Sequence, residues 1–353
     1  MHSERLALVD ALKACASQLI VWHHLALYGP LADSGHALWP ALMGWLAGEA
    51  RMVVQVFLVV AGFLVARSLA PDGRLRGAAL PAVAARYRRL VGPFLAVIGL
   101  SLVCAAVARH WMTDDATPAA PTVMQVVAHA LLLHDLLGQE ALSAGVWYVA
   151  IDFQLFVLFV ALAWACRRLL PPHRAPQGLL GGVAVLGLAS MFGFNRDPSW
   201  DVWALYFFGA YALGMMAWWT SAPQQPWGAG AAVAALTLLA WWMDPRPRLA
   251  IALACAALLY LARRTGRLPH WGAGAATAWL GRISYAVFLV HFPVLLVVNA
   301  ACVRWLPDDP GVHAAGLLAA WGLSLAAGHA FHRWVERPLA GPMRVSPGPA
   351  AAG

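Results

Sequence analysis

Residues 6–27 read LALVDALKACASQLIVWHHLAL, a run apolar enough to cross a bilayer that nevertheless carries Asp10, Lys13, His23 and His24. Lys13 is the only lysine in the chain. An ionisable side chain at membrane depth costs roughly 2.5–3.5 kcal/mol on insertion scales, so such groups pair, face a cavity and mark a functional pathway. Lys13 and His24 are close to three helical turns apart, so they share a face at about 16 Å along the axis. The run therefore decides two things. The chain is built from membrane-crossing helices, and the first of them presents a polar stripe to the inside of a bundle.

Composition agrees. The chain is 61% hydrophobic and 11% charged, against about 25% charged in soluble domains. Its apolar stretches are separated by short Pro-, Gly- and Arg-rich connectors, the pattern of an all-α, polytopic membrane helix bundle. No composition shift marks a domain boundary, so residues 1–341 read as one integral-membrane domain and 342–353 as a disordered tail. Glu4 and Arg5 stand where a leader would be basic, and no small-residue cleavage site follows, so the first run is expected to be an uncleaved anchor. The five cysteines, Cys15, Cys104, Cys166, Cys255 and Cys302, fall in or beside apolar runs, where thiols act as small hydrophobes rather than as a disulfide framework or a thiolate metal site.

Apolar runs bounded by breakers give ten expected spans, at about 6–28, 50–70, 87–109, 145–167, 178–194, 202–219, 228–243, 249–263, 280–303 and 312–334. The stretch 123–137, interrupted by His129 and His134, reads as an amphipathic or re-entrant helix. Placing both termini in the cytoplasm puts every Lys and Arg on that side except Arg51, Arg109, Arg196, Arg246, Arg248 and Arg304, as the positive-inside rule demands. The net charge of +8 is thus a topology signal and not a nucleic-acid footprint.

Adjacent helical residues point about 100° apart, so only one of His23 and His24 can face a given partner; His24 lies on the Lys13 face near the outer end. A neutral imidazole there suits general-base catalysis on a hydroxyl, although a hydrogen bond to a neighbouring helix would also explain it. Asp10 and Lys13 form an i,i+3 pair that can neutralise itself. Arg86 and Arg89 share one face at the cytoplasmic mouth of the third span. Positive-inside bias alone explains single arginines there, but a fork of two guanidiniums also fits a pyrophosphate or 3′-phosphate. Asp152 and Gln154 are the strongly polar side chains of an aromatic fourth span, and the carboxylate demands a partner. His291, two residues before Pro293, can line a proline kink in the ninth span. His329, His332 and Glu336 share a face at spacing that can hold a metal, or simply neutralises a helix end beside Arg333 and Arg337. Trp39, Trp45 and Trp111 in the outer loops can stack on a pyranose ring or anchor at the membrane interface.

Together these residues resemble the integral-membrane acyltransferase family 3, the bacterial O-acyltransferases that modify cell-surface glycans and some small molecules. Lys13 and His24 match its first-span motif, Arg or Lys, ten residues, His. Residues 57–63, from Phe57 to Ala61-Gly62-Phe63, match its Phe-aliphatic-Ser-Gly-Phe segment with Ala for Ser. Arg86 and Arg89 match Arg-x-x-Arg, and Trp147, Asp152 and Gln154 match Trp-x-x-x-x-Glu-x-Gln with Asp for Glu. Leu280 to Tyr285 with His291 and Pro293 match Leu-Gly-x-Ile-Ser-Tyr and His-x-Pro, and Glu336 and Pro338 match the closing Glu-x-Pro.

The resemblance implies an O-acetyltransferase of the bacterial inner membrane that takes acyl-CoA, most often acetyl-CoA, as donor, needs no metal, and acts on a carbohydrate or lipid-linked glycan among the membrane lipids. It assigns catalysis to His24 and donor binding to Arg86 and Arg89, with Lys13, Asp10 and Asp152 tuning the site and His291 and Glu336 in support. The C-terminal hydrolase-like domain of some members has no counterpart, so this reads as the stand-alone form, completing transfer alone or with a separate periplasmic partner. Two rivals use the same residues. One is a proton-coupled transporter or flippase, although no paired half-repeats are visible. The other is a catalytically degenerate scaffold, for which the Ala61 and Asp152 departures speak.

Overall fold

A computed structural model describes residues 5–340. The expected tail at 342–353 lies outside the described residues. The helices run α1 (Ala7–Leu27), α2 (Pro30–Leu38), α3 (Pro40–Gly48), α4 (Val54–Leu69), α5 (Ala79–Trp111), α6 (Val123–Ala130), α7 (Trp147–Leu169), α8 (Ala175–Phe192), α9 (Ala204–Thr220), α10 (Trp227–Met243), α11 (Pro247–Arg264), α12 (Ala275–Trp305) and α13 (Pro310–Phe331). A 3₁₀ turn over Ala50–Val53 leads into α4, and a π-helical turn over His332–Glu336 follows α13. Among the described residues there is no strand.

Each expected span coincides with a helix. Six segments, containing α4, α5, α7, α8, α12 and α13, are long and apolar enough to cross a membrane. Helix α1 is not among them, because the ionisable residues that single it out also lower its hydropathy. The long helices begin earlier than the apolar runs do: α5 starts at Ala79 rather than 87, and α12 at Ala275 rather than 280. Backbone hydrogen bonding continues through amphipathic turns, whereas hydropathy registers only their lipid-facing part. Both α5 and α12 carry an internal proline, Pro93 and Pro293, without ending there.

Two helices form the interior. Nearly every residue of α9 is buried, and α12 is buried along most of its central length. Around α12 pack α1, α5 and α13; around α9 pack α4, α8, α11 and α7. The two groups meet where α1 touches α4 and α5 touches α7. Close approach between helices depends on small residues, which replace the hydrophobic drive missing between helices in lipid. A Cβ on Gly281 would lie 2.6 Å from the Asp10 carbonyl oxygen, so the absent side chain lets α12 rest its backbone on α1. That contact sets the register that brings the ends of both helices together higher up.

Candidate active site

Helix α1 buries His24 in its last turn, and α12 presents His291 beside it. His24 Nδ1 and His291 Nε2 are 2.6 Å apart, with the rings stacked at 4.8 Å and 10°. Both side chains are buried. The partners assign the tautomers. His291 Nδ1 lies 2.7 Å from the Phe288 carbonyl and 3.3 Å from that of Val287, so it must carry the proton and donate. His291 Nε2 is then an acceptor, and His24 Nδ1–H donates to it. The lone pair of His24 is left on Nε2, which makes no hydrogen bond among the described residues. This is the orienting logic of any positioned imidazole base, with a second histidine in the role usually held by a carboxylate.

One edge of His24 is covered by the loop that precedes α7. Gly145, at φ +79°, lies against it: a Cβ there would stand 3.6 Å from His24 Cε1 and 3.1 Å from the Phe288 ring. Positive φ makes Gly the natural residue at this position. The loop before α7 is pinned by His129, whose Nδ1–H donates to the Gln125 carbonyl at 2.7 Å and whose Nε2 accepts from the Leu142 N–H at 3.1 Å. His134 stacks on His129 at 4.1 Å, and the turn between them holds Leu132 at φ +57°. Burial pushes both imidazoles of this loop down to about 4.

An aromatic wall continues inward. Phe288 packs on Tyr148 at 5.6 Å and on Phe57 at 6.3 Å. Below it Arg86 Nη2 donates to Asp152 Oδ2 at 2.5 Å, with the guanidinium over the Phe156 ring. The Tyr148, Tyr211 and Tyr285 hydroxyls all lie within electrostatic range of this pair. The Tyr211 and Tyr285 hydroxyls and Arg86 Nε are buried without a hydrogen-bond partner among the described residues.

The sequence order set Arg86 at the cytoplasmic mouth of its span. Because α5 begins at Ala79, two turns sooner, Arg86 instead enters the bundle and answers the charge of Asp152. Asp152 is five residues into α7 from Trp147, about 7.5 Å of helical rise beyond its start. Arg89 is exposed on α5 and within electrostatic range of Tyr285.

The remaining candidates lie elsewhere. Asp10 Oδ2 accepts from Arg5 at 2.8 Å, and Lys13 Nζ is 3.6 Å from Asp10 Oδ1, so this group closes on itself at the far end of α1. Glu336 pairs with His332 at 2.8 Å, while His329 accepts from Trp279 Nε1 at 3.2 Å. That face does not converge, and among the described residues no three ligating side chains form a metal site. Gln154 holds the start of α9 through the Val202 carbonyl and the Ala204 N–H. The five cysteines are free, with Cys15 exposed on α1.

Residue reasoning placed His24 and His291 on separate elements without bringing them together. It missed Tyr148, Tyr211 and Gly145, whose types are common in any apolar helix or loop. The pairing of Asp152 was signalled by its cost in the span, but not the identity of its partner.

No curated protein and no solved structure matches the chain. A family model described as an acyltransferase domain matches residues 6–329, from the start of the first helix to His329, and so takes in the histidine pair, the Arg86–Asp152 pair and the aromatic wall between them. With its apolar helices, the chain is a multi-pass membrane protein belonging to acyltransferase family 3.

Proposed function

We propose that the protein is an O-acetyltransferase of the bacterial cytoplasmic membrane, with ten spans and both ends inside. It moves an acetyl group from cytoplasmic acetyl-CoA to a hydroxyl of a cell-surface carbohydrate or a lipid-linked glycan. The observation that carries this reading is the tautomer chain that leaves the His24 lone pair on Nε2, without a hydrogen bond among the described residues.

The acceptor hydroxyl gives its proton to His24 Nε2 as its oxygen attacks the thioester carbonyl carbon. His24 Nδ1–H stays on His291 throughout, so the imidazolium forms without reorientation. The tetrahedral intermediate collapses by breaking the C–S bond. The proton passes from His24 to the departing thiolate, giving CoA thiol and the acetyl ester. The pantetheine arm descends along Phe288 and Tyr148 past the Arg86–Asp152 pair. The unpartnered Tyr211, Tyr285 and Arg86 Nε groups supply donors for its amide carbonyls. Arg89, exposed on α5, draws the phosphates, while Lys13 and Asp10 set the charge balance at the inner end of α1. A buried carboxylate–guanidinium pair costs desolvation and contributes little net stability, so a role in the reaction gives it a reason to be there.

The test is release of free CoA from acetyl-CoA by membranes containing the protein, with and without envelope glycan from the native host. Acceptor-dependent release is expected. Acceptor-dependent proton flux without it would replace the enzyme by a transporter.

A further inference from the structure

Helix α10 lies at the edge of the bundle. Of its residues only Thr237 and Ala240 are buried, and a cavity of about 350 Å³ lies between it, α8 and α9. Small residues make the floor: a Cβ on Gly187 would stand 2.9 Å from that of Ala212. The polar side chains that line it turn their hydrogens to carbonyls instead. Thr220 donates to Met216 at 2.7 Å, Thr237 to Val233 at 2.9 Å, and Trp219 Nε1 to Ala70 at 2.8 Å. Nothing in the middle of the cavity calls for water, and an apolar cavity stays dry. In lipid, an unfilled gap forfeits the van der Waals contacts that hold helices together. A hydrocarbon chain is the occupant whose chemistry fits. The length agrees, since Ala229 to Thr237 on α10 and Ala212 to Thr220 on α9 each span about 12 Å. That is most of the roughly 15 Å of hydrocarbon in one leaflet.

One end of the cavity is polar and positively charged. Gln225 lines it there, and its backbone N–H donates to the Ala222 carbonyl at 2.9 Å. Arg264 Nη1 donates to the same carbonyl, which puts the guanidinium at the cavity mouth. It lies 4.9 Å from the ring of Trp227, an exposed residue at the start of α10. The contact with Ala222 leaves further N–H groups of the fork for a ligand. Acids are missing from this side. From Val202 to Pro307 the sequence holds one, Asp244, and it pairs with Arg196 and Arg246 beyond the opposite end of α10. A guanidinium and an interfacial tryptophan at the mouth of a hydrocarbon slot suit the phosphate of an anionic lipid.

We infer that the cavity between α8, α9 and α10 holds one acyl chain of an anionic phospholipid, with Arg264 and Gln225 at its phosphate. The lipid supplies the packing that α10 lacks against α8. This needs no part of the acyl-transfer reading. Protein purified in detergent and freed of lipid is titrated with dioleoyl-phosphatidylglycerol and followed by native mass spectrometry. Wild type should take up a first molecule at least about tenfold more tightly than any further one. Ala232→Phe fills the cavity from an exposed position on α10 and should abolish that first step. Ala231→Phe, exposed on α10 outside the cavity, should keep it. Arg264→Gln should weaken it about tenfold and bind phosphatidylglycerol no better than neutral dioleoylglycerol. Uniform uptake by wild type, or a first step unchanged in Ala232→Phe, overturns the site. A first step unchanged in Arg264→Gln overturns the phosphate contact. Displacement of the first molecule by palmitoyl-CoA but not by acetyl-CoA would give the cavity to a donor's acyl chain and overturn the phospholipid assignment.

Discussion

Replacing His291 by Leu removes the acceptor of the His24 Nδ1 proton while keeping an apolar side chain of similar volume. Two consequences follow from the 2.6 Å contact. The buried Nδ1–H loses its partner, and an unsatisfied buried donor costs about 1–3 kcal/mol. The ring escapes that cost by moving its proton to Nε2, the atom that must be free to act as base. A bias of about 1.4–2.8 kcal/mol toward this wrong tautomer corresponds to roughly 10- to 100-fold less of the competent form. The expected result is a kcat lower by that factor, with KM for acetyl-CoA little changed because the donor contacts lie elsewhere. His291→Gln provides the control, since its side-chain oxygen can accept the same proton and should restore most of the loss. The assay is acetyl transfer in membranes at matched expression, with folding checked by detergent-resistant size exclusion. Wild-type kcat in His291→Leu, or a Gln variant no better than Leu, would refute the positioning argument.

Other consequences concern the surroundings. Breaking the buried ion pair with Asp152→Asn or Arg86→Met alone should destabilise by about 3–5 kcal/mol, whereas Arg86→Met/Asp152→Leu should recover folding and remain inactive; thermal melts and transfer assays separate the two effects. Gly145→Ala places a methyl against His24 and Phe288 at positive φ, so a cost of about 1–2 kcal/mol and a rise in acceptor KM are expected from kinetics against glycan concentration. His129 and His134 have folded values of about 4 against about 6.5 unfolded, so acid favours the unfolded chain. Their contribution is complete above about pH 6.5 and is lost as pH falls toward 4, by up to about 3 kcal/mol each. Calorimetric midpoints measured from pH 7 to 4.5 should fall, and His129→Phe/His134→Phe should flatten that slope.

Much of the architecture was legible because the bilayer allows few solutions. Apolar runs of span length had to become helices, and the ten runs did. The polar face of α1 was legible for the same reason, since His24 in such a run has to point inward. What periodicity cannot express is contact between helices. His24 and His291 are 267 positions apart, and their meeting depends on the packing of α1 on α12, including the resting of Gly281 on Asp10. The ion pair shows a second limit. Asp152 announced a need for a positive charge, but hydropathy ended the third span near Tyr87, so Arg86 read as a surface residue. The amphipathic turn from Ala79 is invisible to an apolar-run criterion, yet it is what carries Arg86 inward. The loop histidines illustrate a third. Their stacking and the Leu132 conformation depend on chain reversal, for which 123–137 has no Gly or Pro punctuation.

The central claim is that His24 Nε2 takes the proton of an acceptor hydroxyl during acetyl transfer. The most direct measurement follows radiolabel from acetyl-CoA into envelope glycan in membranes holding equal amounts of wild type and His24→Ala. The account predicts label in glycan with wild type and a loss of at least about 100-fold with the variant, the size of a general-base contribution. Equal labelling by His24→Ala would contradict it.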